Sequence, residues 1–303
     1  MSVRLSRVII SACLAGGLAF ASEAVLVTPP TSAARAGGGS GLYLALGDSL
    51  AAGCTASPSS SATFCPAQGT IAGYVADLVG SIKSPRLTTV DLGCSGETTT
   101  SMIAGGRCRY VLGGSTYSSQ LAEAQAWLGR ARRARRPALV TIDLGANDLR
   151  ACAPSSLSLT ISPACLTAAT DTASRNLATI LTALKGADPR ARIVGMTYYD
   201  PALAAWLTGL RGRLLAIGST IYAAAFNQAL QAVYSHFGAR VANVQGAFRT
   251  FDVSQHKSLP PSVPVDVYDI CALTYTCASL GTNPHPNRAG YQLIADAFLR
   301  AGA

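Results

Sequence analysis

Apolar runs alternate with segments of helical periodicity along most of the chain. Strands are expected over 42–46, 87–92, 138–144, 192–197 and 240–244, and helices over 71–82, 120–136, 172–185, 219–237 and 289–301. The helix at 120–136 stops at Pro137, and the run at 138–144 is too apolar to alternate cleanly, which suits a strand covered on both faces. Strand followed by helix, repeated about five times, predicts an α/β fold with a doubly wound, mainly five-stranded parallel sheet and helices on both sides. Ligands of such sheets bind at the carboxyl ends of the strands. The stretch 249–283, with two cysteines, several prolines and little periodicity, reads as a long loop. No internal repeat occurs, and no domain linker follows residue 41, so residues 42–303 are expected to form one domain.

The amino terminus follows a different pattern. Arg4 and Arg7 precede an apolar run over 8–21, and small residues lead to Ala34-Arg35-Ala36. That is the layout of a secretory signal peptide over 1–36, with a flexible Gly-rich leader at 37–41. The apolar run is shorter than the roughly 20 residues that span a bilayer. Cys13 as a lipid-attachment site would leave only residues 8–10 as an apolar core, which is too short. A secreted, extracellular protein is expected.

Composition agrees with export. Of 303 residues, 49% are hydrophobic and 13% charged, enough apolar material for a sizeable core. Loss of Arg4, Arg7, Arg35 and Glu23 with the signal lowers the net charge from +9 to +7. This moderate basicity suits transient contact with an anionic lipid surface. Without a clustered basic and aromatic face it does not suggest nucleic acid. Arg132, Arg133, Arg135 and Arg136 read as the solvated end of a helix. Nine cysteines become eight once Cys13 is removed, an even number suited to an oxidising compartment. Many connectivities are open to eight thiols. Their close spacing leads to the expectation of sequential bridges: Cys54–Cys65, Cys94–Cys108, Cys152–Cys165 and Cys271–Cys277. No tight Cys or His ligand spacing supports a metal, and none is expected.

The candidate chemistry starts with Gly47-Asp48-Ser49-Leu50, directly after the first strand. A serine there needs a base to become nucleophilic. Of three histidines, His236 lies in a helical pattern and His256 beside Lys257 in a polar loop. His285 stands between Pro284 and Pro286, just before the last helix, where the prolines restrict the backbone that carries the ring.

Four blocks, Gly47-Asp48-Ser49-Leu50, Gly96 in Leu92-Gly-Cys-Ser-Gly96-Glu, Gly145-Ala-Asn147-Asp148, and His285-Pro-Asn-x-x-Gly290-Tyr291, occur in order over nearly the whole mature chain. Together they resemble the blocks of the SGNH (GDSL-type) hydrolases, of the secreted bacterial esterase and lipase type. The resemblance implies a flavodoxin-like three-layer α/β/α fold, with Ser49 as nucleophile and His285 as base. It implies an oxyanion hole made by the Ser49 and Gly96 N–H groups and the Asn147 amide, with no cofactor. Asp48 and Asp148 are expected to organise the surrounding loops.

One position departs from that family. An aspartate is usual three residues before the histidine, and Thr282 stands there. The favoured expectation is a Ser49–His285 dyad whose ring N–H bonds a main-chain carbonyl, that of Thr282. The alternative is a triad completed by Asp266 or Asp269. The expected substrate is a small-molecule or lipid ester: a lipase, phospholipase or short-chain esterase activity, with a carbohydrate deacetylase as the alternative. A catalytically silent binding domain is the reading from outside enzymology. No G-x-S-x-G elbow of the other common α/β hydrolases is present. A monomer is expected.

Overall fold

The computed structural model describes residues 41–82, 87–152, 162–255, 263–279 and 281–303. The proposed signal peptide, almost all of the leader, and His256 lie outside these residues. Strand β1 (Gly41–Gly47) is buried at all seven positions, because β2 (Leu87–Asp91) and β3 (Ala138–Asp143) pair with it in parallel on its two edges. With β4 (Arg192–Met196) and β5 (Arg240–Ala242) the sheet order is β2-β1-β3-β4-β5. The chain steps from β1 to β2, crosses back to β3 and then continues outward. The direction therefore reverses between β1 and β3, and a crevice opens at their carboxyl ends.

The helices are α1 (Gly73–Ser81), α2 (Thr99–Ala104), α3 (Gln120–Arg133), α4 (Ala146–Arg150), α5 (Pro163–Ala187), α6 (Leu210–His236), α7 (Val244–Ala247), α8 (Val265–Leu273) and α9 (Arg288–Arg300). Alternation along β3 divides them between two faces. Thr141 and Asp143 point to one face, where Thr141 bonds the Tyr43 hydroxyl at 3.0 Å and the Tyr74 hydroxyl of α1 donates to Asp143 at 2.6 Å. Tyr74 also stacks on Phe298 of α9 at 4.9 Å, so α1 and α9 cover this face. Ile142 points the other way, in register with Gly195, over which Tyr234 of α6 lies. A Cβ on Gly195 would sit 2.0 Å from that ring, so the strand needs a glycine to let the helix approach. Helices α3, α5 and α6 pack in sequence on that side.

Several elements go beyond the periodic pattern. Helix α5 starts at Pro163, before the expected 172, because the Ser162 side chain caps it and the proline occupies its first turn. Helix α6 starts at Leu210, before the expected 219. Within the expected loop at 249–283 lies α8, nine residues and largely buried. A hairpin pairs Tyr110–Leu112 with Ser115–Tyr117 across Gly113 and Gly114, both at positive φ as a type I′ turn requires. Among the described residues no helix is long and apolar enough to cross a membrane.

Candidate active site

The turn after β1 is fixed before any catalytic group enters it. Gln120 brackets Gly47, accepting from its N–H at 2.7 Å and donating to its carbonyl at 3.0 Å. Gly47 has φ +148°, and a Cβ there would lie 2.3 Å from the Asp143 carbonyl. Asp143 then accepts from the backbone N–H of Asp48 at 3.2 Å and of Ala51 at 3.1 Å, which clamps the turn carrying Ser49. Ser49 is partly exposed between buried Asp48 and Leu50. Burial pushes the Asp48 carboxyl up to about 6, and burial with repulsion from Asp48 pushes Asp143 up as well.

Two further blocks are tied to this turn. The Cys94 N–H donates to Gly47 O at 3.1 Å, bringing the Gly96 loop to the end of β1. Gly96 has φ +76°, and the Arg107 guanidinium covers its Cα so closely that a Cβ would meet it at 2.0 Å. Arg107 is held there by a 3.1 Å bond from its Nε to Ser95 O. Asn147 begins α4, and its Nδ2 donates to Asp48 Oδ2 at 3.1 Å and to Glu97 O at 3.0 Å. One amide thus joins the blocks of Ser49, Gly96 and Asn147. Asp148 accepts from the Thr99 N–H at 2.9 Å and from its hydroxyl, joining α4 to the start of α2.

His285 is buried, and its Nδ1 lies 2.7 Å from Asn283 Oδ1. The orientation of the Asn283 amide follows from its other partners. Its nitrogen faces two carbonyl oxygens, Thr55 O at 3.3 Å and Ser61 O at 3.0 Å, which can only accept. The Asn283 oxygen therefore faces the ring, and Nδ1 must carry the proton. Nε2 is left with a lone pair, the state a general base needs. The same two bonds stitch the histidine segment to the loop after Ser49, where the Cys54 N–H donates to Ser49 O at 2.9 Å. Tyr199 holds the segment from the other side, donating to Pro284 O at 2.7 Å. Burial, with the positive charge of Arg150, lowers the imidazole to about 4.

The groups expected to orient the ring stand elsewhere. Thr282 bonds Ser279 O through its N–H and hydroxyl, at 3.2 and 2.8 Å. Asp269 is paired with Arg249 at 2.5 and 2.7 Å, and Asp266 accepts from the Val267 N–H at 2.7 Å. The Nδ1 partner is thus neither the Thr282 carbonyl nor either aspartate, but Asn283. Sequence reasoning missed this residue; the signal that could have found it is an Asx-turn, since the His285 N–H, two residues on, also donates to Asn283 Oδ1 at 3.2 Å. Four disulfides, Cys54–Cys65, Cys94–Cys108, Cys152–Cys165 and Cys271–Cys277, close the loops bearing these blocks. Among the described residues no group of three His, Cys, Asp or Glu is placed to hold a metal ion.

A flavodoxin-like sheet with these four blocks along its carboxyl edge defines an SGNH-type hydrolase fold. The sequence matches the GDSL-like lipase/acylhydrolase family over residues 45–293, and the chain belongs to that family. No curated protein matches it. Among solved structures it is similar to one described as a GDSL-like lipase from Parabacteroides merdae, at 15% identity over 87% of this chain and 95% of that one, with a TM-score of 0.53. It is also similar to the extracellular lipase of Streptomyces rimosus, at 19% identity over 86% and 99% of the two chains, with a TM-score of 0.52. At such identities the likeness concerns the fold.

Proposed function

We propose that the protein is an exported serine hydrolase that cleaves carboxylic esters through an acyl-Ser49 intermediate. The observation that carries this reading is the Asn283–His285 bond, which leaves Nε2 free to accept a proton. His285 Nε2 takes the Ser49 hydroxyl proton as Oγ attacks the ester carbonyl. It returns the proton to the departing alkoxide, and a water molecule releases the acid by the same steps. The oxyanion is held by the Ser49 and Gly96 N–H groups and the Asn147 amide. In the free site both Nδ2 hydrogens of Asn147 are engaged, so it serves the oxyanion by sharing or exchanging its bond to Asp48.

Charge at the site supports a narrower substrate class. Arg107 lies over Gly96, and Arg150 is close enough to His285 to depress its proton affinity. Two guanidinium groups favour an ester with an anionic group near the scissile bond, as in a phospholipid, over a neutral acetylated sugar. No cofactor or metal takes part in this scheme. Four disulfides and the signal-peptide pattern over residues 1–36 support export. The test is labelling with a fluorophosphonate, followed by rates on esters of rising chain length, a phospholipid and an acetylated sugar. Label on Ser49 and a preference for the phospholipid are expected. A folded protein that takes no label is a binding domain, and a preference for the acetylated sugar makes it a deacetylase.

A further inference from the structure

The amino-terminal half of α6 carries large aliphatic side chains that are mostly exposed. Leu210, Leu214, Ile217 and Ile221 are 75%, 64%, 54% and 68% exposed, and Leu207, just before the helix, is 53% exposed. Their spacing of four, three and four residues places the helical four on one narrow stripe, since each residue turns the helix by about 100°. Single exposed aliphatic residues are ordinary, but four along one helical stripe, with a fifth exposed just before it, are not. Arg211 and Arg213 are exposed on opposite sides of the stripe, and the chain has no acidic residue between Asp200 and Asp252. Arg213 also lies over the Trp206 ring at 5.4 Å, which holds one guanidinium beside the row.

The stripe stands on the active-site side of the molecule. Phe226 of α6 reaches the Gly145 turn, where a Cβ would lie 3.0 Å from its ring, and Asn227 bonds both backbone groups of Tyr198, just past β4, at 2.7 and 2.8 Å. Residues 226–227 are therefore level with the carboxyl ends of β3 and β4. Because α6 leads from the carboxyl end of β4 to the amino end of β5, its earlier residues rise beyond that edge. At about 1.5 Å per residue, Ile221 to Leu210 lie roughly 7–24 Å from Phe226 along the helix axis.

We propose that this half of α6, with Leu207, docks the enzyme on a lipid surface bearing anionic headgroups. The aliphatic row enters the boundary between headgroups and acyl chains, and Arg211 and Arg213 bind the phosphates, as an amphipathic helix lies in an interface. A second copy of the chain suits the row poorly. Two such faces together would crowd four arginines with no acidic residue from this stretch to pair them. Docked in this way, the overhanging helix brings the Ser49 crevice to the surface from which acyl esters are drawn. That purpose rests on the ester-hydrolase reading, whereas the docking itself is measurable without catalysis.

The test is co-sedimentation of the protein with phosphatidylcholine vesicles, with and without phosphatidylglycerol. The parent is compared with Leu214→Ser/Ile221→Ser and with Arg211→Gln/Arg213→Gln, alongside gel filtration and hydrolysis of a water-soluble short-chain ester. All four side chains are exposed, so the fold should survive, and an unchanged thermal midpoint checks it. Vesicle partition should fall on the order of tenfold or more in the aliphatic variant. The arginine variant should lose its preference for phosphatidylglycerol, and soluble-ester rates should stay at the parent level in both. Equal vesicle binding by parent and variants would overturn the proposal, as would a parent dimer that the aliphatic variant dissociates. Vesicle binding without any ester hydrolysis would instead count against the catalytic reading alone.

Discussion

Asn283 is neutral where serine hydrolases commonly place a carboxylate, so it supplies no charge to offset the burial that lowers His285. A carboxylate would favour the imidazolium, whereas an amide oxygen orients the ring with little gain for its charged form. The acid limb of kcat/KM should therefore fall near pH 4, the value to which burial and Arg150 lower the His285 imidazole, and activity should be full at pH 6. Asn283→Ala removes the acceptor that sets the tautomer, so kcat should drop roughly 10²–10⁴-fold with little change in KM. In Asn283→Asp the acid limb should move up by about one to two pH units while activity persists. Two variants with the parent's rate and pH profile would remove Asn283 from the site. Ser49 and His285 stand out in the sequence by position and by the family blocks they belong to: one follows the first strand, the other lies between prolines. Asn283 was missed because its role depends on a side chain reaching forward two residues, while the partner was sought three residues before the ring or at a distant acid.

At the scale of elements, the sheet was legible because burial on both faces leaves continuous apolar runs in β1 and β3. The elements that were missed are those whose signals are short or contradictory. Helix α6 contains Gly212 and Gly218 and exposes leucines, both of which blur a helical pattern. Gly212 is needed, since a Cβ there would lie 1.9 Å from the Ala205 carbonyl of the preceding 3₁₀ helix, Pro201–Thr208. Helix α8 is too short for periodicity and buries Asp266 and Asp269 on what would otherwise be an apolar turn. A sharper test of the packing is Gly195→Ala. The added methyl would collide with Tyr234, which is fully buried and has no room to retreat, so the variant should lose about 1–3 kcal/mol, or roughly 3–10 °C in Tm. A Tm equal to that of the parent would mean that α6 does not press on β4 as described.

The whole molecule separates a packed sheet from a cross-linked rim. Buried carboxyls dominate its response to acid: burial raises Asp48 and Asp266 to about 6 and Asp91 to about 7. A raised acid binds more protons folded than unfolded, so its contribution to stability is complete below its ordinary pKa and is lost as pH rises through the folded value. Lowered His285 acts oppositely between its ordinary 6.5 and about 4, but it is one group against three. Tm at pH 5 should therefore equal or exceed Tm at pH 7, and a fall would show that these carboxyls are not buried as described. Reduction probes the rim. All four disulfides close short segments at the carboxyl end of the sheet, joining partners 6–14 positions apart in sequence. Each restrains the unfolded chain by about 2–4 kcal/mol, but its local effect is to hold the turns of Ser49, Gly96 and Asn147 and the segment leading to His285. Cys94 belongs to the core cluster and Cys108, Cys271 and Cys277 pack against it, but the strands pair without these links, whereas the loops carrying the proposed donors and base are closed by them. Mild reduction should then abolish ester hydrolysis at a reductant level that leaves the far-ultraviolet circular dichroism and most of the core's amide protection intact. Full activity in the reduced protein would show that hydrogen bonds through Asn147, Gln120 and Asn283 alone suffice to hold the site.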